Sequence, residues 1–188
     1  MSEATAEARI AIRPANEGDI PRVAEIYADH VLTGLATFEA EPPDAAEMLR
    51  RYRDLSSRGF PYLIAEADGR VLGYAYAGPF RTRAAYRHTV EDSIYLDRSA
   101  TRRGVGRMLL DALIGAATRA GFRQMIAVIG DSANAGSIRV HERCGFRMVG
   151  TLAATGFKFG RWVDTVLMQR ELGEGGATLP PEARDLHK

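Results

Sequence analysis

The chain has 188 residues, 46% of them hydrophobic and 26% charged, which fits one soluble globular domain with a sizeable core. Its net charge of +1 excludes the large basic excess of a general nucleic-acid binder, so no nucleic-acid partner is expected. The single cysteine excludes an intrachain disulfide. The acidic start at 1–8 lacks the pattern of a signal peptide, and no 18-residue apolar run predicts a membrane span, so the expected location is cytoplasmic.

In chain order, residues 10–13 read as a short first strand closed by Pro14. Asp19 sits where it can cap a helix with Pro21 in its first turn and Val23, Ile26, Tyr27 and Val31 at helical spacing. Residues 34–43 read as an irregular loop carrying Phe38. Asp44 is placed to cap a second helix to about Ser57, with Met48, Leu49 and Tyr52 inward and Gly59 at its end. Strands over 62–67 and 71–77 flank Asp68-Gly69, a strong hairpin signal, and another strand covers 88–97. Residues 104–120 form a helix with Leu109, Leu110, Leu113 and Ile114 on its buried side. The apolar run 125–129 has the pattern of a central strand. A short helix over 135–144 and an antiparallel pair over 146–152 and 162–171 complete the order. Cys144, in an apolar Cys-Gly-Phe segment, reads as a small packed residue. One domain over 8–172, with flexible tails at 1–7 and 173–188, is the expected organisation, and the class is a mixed, mostly antiparallel α/β sheet flanked by helices.

Residues 99–110, Ser-Ala-Thr-Arg-Arg-Gly-Val-Gly-Arg-Met-Leu-Leu, lie between a strand and a helix. At a helix start the first amide hydrogens lack intrahelical partners and the dipole adds partial positive charge, so such a turn can hold a phosphate. Gly104 and Gly106 permit close approach, while Arg102, Arg103 and Arg107 add full charges; a solvated basic turn is the competing interpretation. No Lys-Ser or Lys-Thr pair occurs, which excludes a P-loop, and the third glycine of a dinucleotide motif is absent.

These residues resemble the GNAT superfamily of acetyl-CoA-dependent N-acetyltransferases over roughly 8–172. The turn Arg102-Arg103-Gly104-Val105-Gly106-Arg107 is similar to its Gln/Arg-x-x-Gly-x-Gly/Ala pyrophosphate motif, with Thr101 at the first position in place of Gln or Arg. Asn134 to Phe146 is similar to the helix beside the pantetheine. The segments 86–96 and 156–164 resemble the phosphinothricin and methionine sulfoximine N-acetyltransferase subfamily in particular, as does a histidine at 141 where many relatives have tyrosine.

The resemblance implies a GNAT-type fold with splayed mid-sheet strands, acetyl-CoA as co-substrate and no metal. It implies acetyl transfer to the α-amino group of a small amino-acid-like acceptor by direct attack. Glu91 is then the general base and His141 either the proton donor to the leaving thiolate or an ordering residue. The backbone of Ile94, Tyr95 and Leu96, the turn from Arg102 to Arg107 including Val105, and Asn134 would hold the co-substrate, although Asp131 to Asn134 could equally cap the following helix. Phe38, Phe80, Arg81, Thr82, Tyr86 and Val90, with Glu91, would form the acceptor pocket, Arg81 supplying a fork for an anionic group. Lys158, Trp162 and Asp164 would shape a subunit boundary or complete that pocket, and Phe157, Phe159, Trp162 and Val163 mark the expected homodimer surface. A protein N-terminal or lysine acetyltransferase, and a catalytically silent acyl-CoA-binding module, are the alternatives.

Overall fold

The computed structural model describes residues 9–180. Seven strands form one sheet in the order β1-β2-β3-β4-β5-β7-β6, with β1 at Ala11–Pro14, β2 at Tyr62–Ala67, β3 at Arg70–Pro79, β4 at Thr89–Leu96, β5 at Gln124–Gly130, β6 at Arg147–Lys158 and β7 at Arg161–Glu171. Every pair is antiparallel except β4–β5, the product of the crossover through α3, Val105–Arg119. Helices α1 (Ile20–Thr33) and α2 (Ala45–Ser57) cover one face, and α3 packs on the other with α4 (Ala135–Arg143) beside it.

Strand alternation explains why the two faces differ. On the α3 side, β2 and β3 present Ala65, Ala67, Ala75 and Ala77, small enough for the helix carrying Leu109, Leu110 and Leu113 to lie close. The same strands send Tyr62, Ile64 and Tyr74 the other way, where stacked aromatic rings fill the wider space beneath α1 and α2. The Asp68-Gly69 turn has positive φ at both residues (50° and 73°), the geometry a two-residue hairpin requires.

Local chemistry explains the helix starts. Asp44 accepts from the Glu47 N–H at 2.8 Å and caps α2 as expected. Asp19 occupies the N-cap position of α1 without capping it, because its carboxylate is held by the Arg13 guanidinium and the Asn16 N–H.

Three expectations need correction. The strand expected over 146–152 runs on to Lys158, because Asp164 Oδ1 accepts the Ala154 N–H at 2.9 Å and stabilises a bulge (Ala154 φ 53°) through which β6 continues. The segment from Gly173 is not free at its start: Arg123 donates to the carbonyls of Gly175 and Thr178 and ties 173–178 to the domain. The remainder of the expected tails, 1–7 and 181–188, lies outside the described residues. Val163, expected at a subunit boundary, points into the core and is 2% exposed. Among the described residues no helix is long and apolar enough to cross a membrane.

Candidate active site

Strands β4 and β5 are in register only from Thr89↔Gln124 to Asp92↔Ala127. Beyond that point β4 continues to Leu96 and β5 to Gly130 unpaired with each other, and a cleft opens between them with Asn134, Ser137 and His141 of α4 on one side. The ladder fixes which backbone groups face it. Asp97 donates its N–H to Leu72 O, so Ser93 and Tyr95 direct their amides to β3 while Ile94 and Leu96 direct theirs to the cleft. The Leu96 carbonyl accepts from His30 Nε2 at 2.8 Å. Two cleft-side donors result, the N–H groups of Ile94 and Leu96. The backbone of Tyr95, expected to act with them, is committed to β3, and its buried ring packs edge-on to Tyr27.

The turn after β4 leads from this cleft to the start of α3. Asp97 accepts from the Ser99 N–H, and Arg98 folds back onto Asp29 and Thr33 of α1. Arg102 and Arg103 remain exposed, with no hydrogen bond or ion pair to the described residues, and Arg107 approaches only Asp111, at 3.5 Å. Gly104, at φ 79°, is the N-cap and brings no side-chain oxygen, so the first amides of Val105, Gly106 and Arg107 are left without a side-chain cap. A left-handed residue at this point costs glycine little and other residues more. Uncapped amides plus three guanidinium groups make a fitting seat for a pyrophosphate, and the splay leads directly to it.

Asn134 does both things considered for its segment. Its Oδ1 accepts the Ser137 N–H at 3.2 Å and caps α4, while the residue lines the cleft with its amide nitrogen unbonded to the described residues.

Alternation along β4 separates the acidic pair Glu91 and Asp92. Glu91 shares a face with Ser93 and Tyr95, on the α1–α2 side, and is half-buried with no hydrogen bond to the described residues. Burial, then the nearby Asp92 charge, pushes its carboxyl up to about 7, against a smaller opposing pull from Arg81. Val90 belongs with Asp92 on the other face and is fully buried in the α3-side core; its expected place in an acceptor pocket is therefore corrected. His141 is also buried, its Nε2 3.0 Å from Asp92 Oδ2 and its Nδ1 2.8 Å from Ser137 O. Asp92 was missed in the sequence. Its signal was an acid at an inward position of an alternating apolar strand, where a charge needs a partner.

The loop at 80–87 carries the other candidates. Phe80 meets Tyr86 edge-on at 5.9 Å, the Arg81 guanidinium lies 4.7 Å from the Phe80 ring centre, and Arg81, Thr82 and Tyr86 line one pocket. Phe38 stands across the sheet on the loop at 34–44, lying so close to Gly156 that any side chain there would collide with its ring. Of the two expectations for Lys158, a place on a subunit surface is not met: it is 7% exposed and donates to Thr37 O at 2.8 Å, holding that loop down. Asp164 is spent on Ala154 and Ser132. Cys144 is buried and its thiol is pushed up to about 12, which fits a packed, unreactive residue. Among the described residues no group of three or more His, Cys, Asp or Glu is arranged for a metal ion.

Comparison with known proteins agrees with this geometry. Residues 12–167 match the family described as acetyltransferase (GNAT) domain. The phosphinothricin N-acetyltransferase of Alcaligenes faecalis is 51% identical over 90% of this chain and 86% of its own length. The L-methionine sulfoximine/L-methionine sulfone acetyltransferase of Salmonella typhimurium is 39% identical over 88% and 96%. A crystal structure of a GNAT superfamily phosphinothricin acetyltransferase from Sinorhizobium meliloti, in complex with AcCoA, superposes with a TM-score of 0.90 at 50% identity, covering 92% of this chain and 94% of that one.

Proposed function

The chain belongs to the GNAT acetyltransferase family and is an acetyl-CoA-dependent N-acetyltransferase close to the phosphinothricin and methionine sulfoximine enzymes; from that premise we propose that its acceptor is a small amino acid bearing a phosphinate, sulfoximine or sulfone group. One observation carries the catalytic assignment: Glu91 is half-buried beside the start of the splay, with no hydrogen bond to the described residues and its carboxyl near 7. A group that titrates there is available as carboxylate at neutral pH and still basic enough to take a proton from an α-ammonium, directly or through water. His141 is the proton donor to the departing sulfur.

In this reading the amides of Ile94 and Leu96 bind the pantetheine arm and thioester end. Asn134 closes the arm from α4, and Arg102 to Arg107 hold the pyrophosphate. Phe38, Phe80 and Tyr86 enclose the acceptor side chain while Arg81 pairs with its anionic group.

The test is thiol release from acetyl-CoA with free amino acids and their sulfone, sulfoximine and phosphinate analogues, beside peptides with free amino termini. Turnover is expected with the analogues; turnover with peptides alone would overturn the reading. Arg81→Ala is expected to raise KM for an anionic acceptor by about 10-fold or more, while KM for acetyl-CoA stays within about twofold, because one charge-assisted bond to the acceptor is lost. Equal effects on both substrates would remove Arg81 from the pocket.

The same reading includes a cytoplasmic homodimer, in keeping with the single buried thiol of the sequence. Its support is the β6–β7 hairpin, where edge strand β6 exposes Leu152 and Phe157 (63%) and β7 exposes Trp162 (66%). An apolar, unpaired edge of this length invites a partner. Light scattering at micromolar concentration is expected to give twice the chain mass, and Trp162→Glu to shift it toward one chain; a wild-type monomer would end the proposal.

A further inference from the structure

Asp92 is the last residue of β4 in register with β5, so it stands at the closed end of the cleft. Its side chain is 2% exposed and that of His141 5%, and both residues line the cleft. The Ser137 carbonyl can only accept, so His141 Nδ1, 2.8 Å away, carries a hydrogen. The Nε2 contact with a carboxylate oxygen at 3.0 Å also requires a proton between the two atoms. Against desolvation, Asp92's hydrogen bond and charge raise the ring's affinity for that proton, so the pair is an imidazolium facing a carboxylate. The second oxygen of Asp92 is buried with no partner among the described residues, where His141 is the counter-ion of the charge.

We propose that Asp92 is a positioning residue for acetyl transfer, holding His141 as an imidazolium at the closed end of the cleft, where the Nε2 proton, shared with Asp92 Oδ2 in the empty cleft, passes to the leaving sulfur. This rests on the reading of His141 as the donor. The acceptor nitrogen forms a bond to the acetyl carbon, and the carbonyl π pair moves to oxygen. When that pair returns, the C–S bond breaks and its electrons stay on sulfur. The Nε2 proton then converts the thiolate to the thiol, leaving a neutral ring that keeps its Nδ1 hydrogen on Ser137. The acceptor nitrogen gives up two protons through Glu91 to solvent, one as the ammonium before attack and one after the N–C bond has formed; solvent returns one of them to Nε2, and the other is the net proton released.

The need for Asp92 follows from burial. Desolvation pulls the His141 pKa down, but the Asp92 hydrogen bond and charge, with the Ser137 carbonyl, outweigh it and leave the ring above its ordinary value. Without the carboxylate, the buried ring would be neutral and have only a lone pair at Nε2. Phe146, edge-on at 5.0 Å, brings no charge, and Glu91 faces the opposite side of the sheet. An alkyl thiol titrates near about 8.5, so an imidazolium raised above about 6.5 is both populated at neutral pH and acidic enough to serve it.

Asp92→Asn tests this with little change of shape. The asparagine amide would donate to Nε2 and lock the neutral Nδ1–H tautomer. Nitrogen-15 NMR of the full chain at pH 7.5, with the His141 signals assigned from His141→Gln, is expected to show two protonated ring nitrogens in the wild type and one in Asp92→Asn. The variant's kcat is expected to fall by about 30-fold with KM for acetyl-CoA within about threefold, on the scale of a lost proton donor. A neutral wild-type ring, or unchanged kcat in the variant, would overturn the proposal. So would kcat and KM worsening together with a lower Tm, which signals packing alone. Asp92→Ser gives the same comparison if the asparagine variant does not fold. Failure of the acceptor assignment looks different: the analogue panel would be inert while the imidazolium signal persisted.

Discussion

Glu91→Gln is expected to lower turnover by about 100-fold or more while leaving acetyl-CoA affinity within about twofold, since the amide keeps the shape but cannot accept the ammonium proton. Thiol-release kinetics and calorimetry check the two halves, and near wild-type turnover would place deprotonation elsewhere. In the wild type the rate should fall as pH drops through about 7, where the Glu91 carboxylate is protonated, and the variant should lose that limb. Stability should move in the opposite sense. The folded carboxyl sits above its unfolded value, so folding is penalised once the group must ionise, fully above pH 7 and not at all below the unfolded value of 4.5. The shift corresponds to an upper bound of about 3 kcal/mol; solvent reaching a half-buried side chain reduces it to the order of 1 kcal/mol. Glu91→Gln should therefore melt higher than the wild type at pH 8 and equally at pH 4, so that activity and stability exchange at one atom pair.

Gly106→Asp is expected to weaken acetyl-CoA binding by about 30-fold. A carboxylate roughly 8 Å from a phosphate charge at an effective dielectric of about 20 costs about 2 kcal/mol. The fold should survive. A Cβ at this position meets only Leu96 Cδ1, at 3.5 Å, and an acid in the first turn of α3 suits the helix dipole. Gly106→Ala, which adds bulk without charge, should stay within about threefold. Gly104 is the poorer test, because its φ of 79° would strain any replacement and confuse binding with folding. Calorimetry on folded Gly106→Asp decides it: unchanged affinity would remove the pyrophosphate from this turn.

What could be read from the chain was whatever one or two neighbours decide. Asp44 caps α2 through a bond three residues away, Asp68-Gly69 supplies two positive φ angles in succession, and the alternation of small and aromatic residues in β2 and β3 sorts the faces. The glycine-arginine turn was legible for the same reason: its chemistry lies within six consecutive residues. What stayed hidden depends on partners far away in sequence. Lys158 reads as a surface charge until Thr37, 121 residues earlier, supplies its acceptor. The length of β6 depends on Asp164 reaching back to Ala154. His141 alone could not be told from an ordinary helix residue; Asp92, 49 positions before it, makes the pair. Val90 was misplaced for a different reason, since a pocket defined by resemblance takes in neighbours of Glu91 without regard to the face on which each one points.

The parting of β4 from β5 has a thermodynamic consequence. Four register pairs are the whole ladder joining the antiparallel meander to the β5–β6–β7 unit, and the bare amides of Ile94 and Leu96 stand where further rungs would lie. A molecule seated in that gap and bonded to those amides would supply rungs that the polypeptide itself lacks. Resistance to unfolding is then a property shared between chain and ligand, growing as the logarithm of ligand concentration over its dissociation constant. The empty protein is an unfinished sheet, and with the acyl donor seated there its lifetime in a cell would follow the donor pool from which it draws.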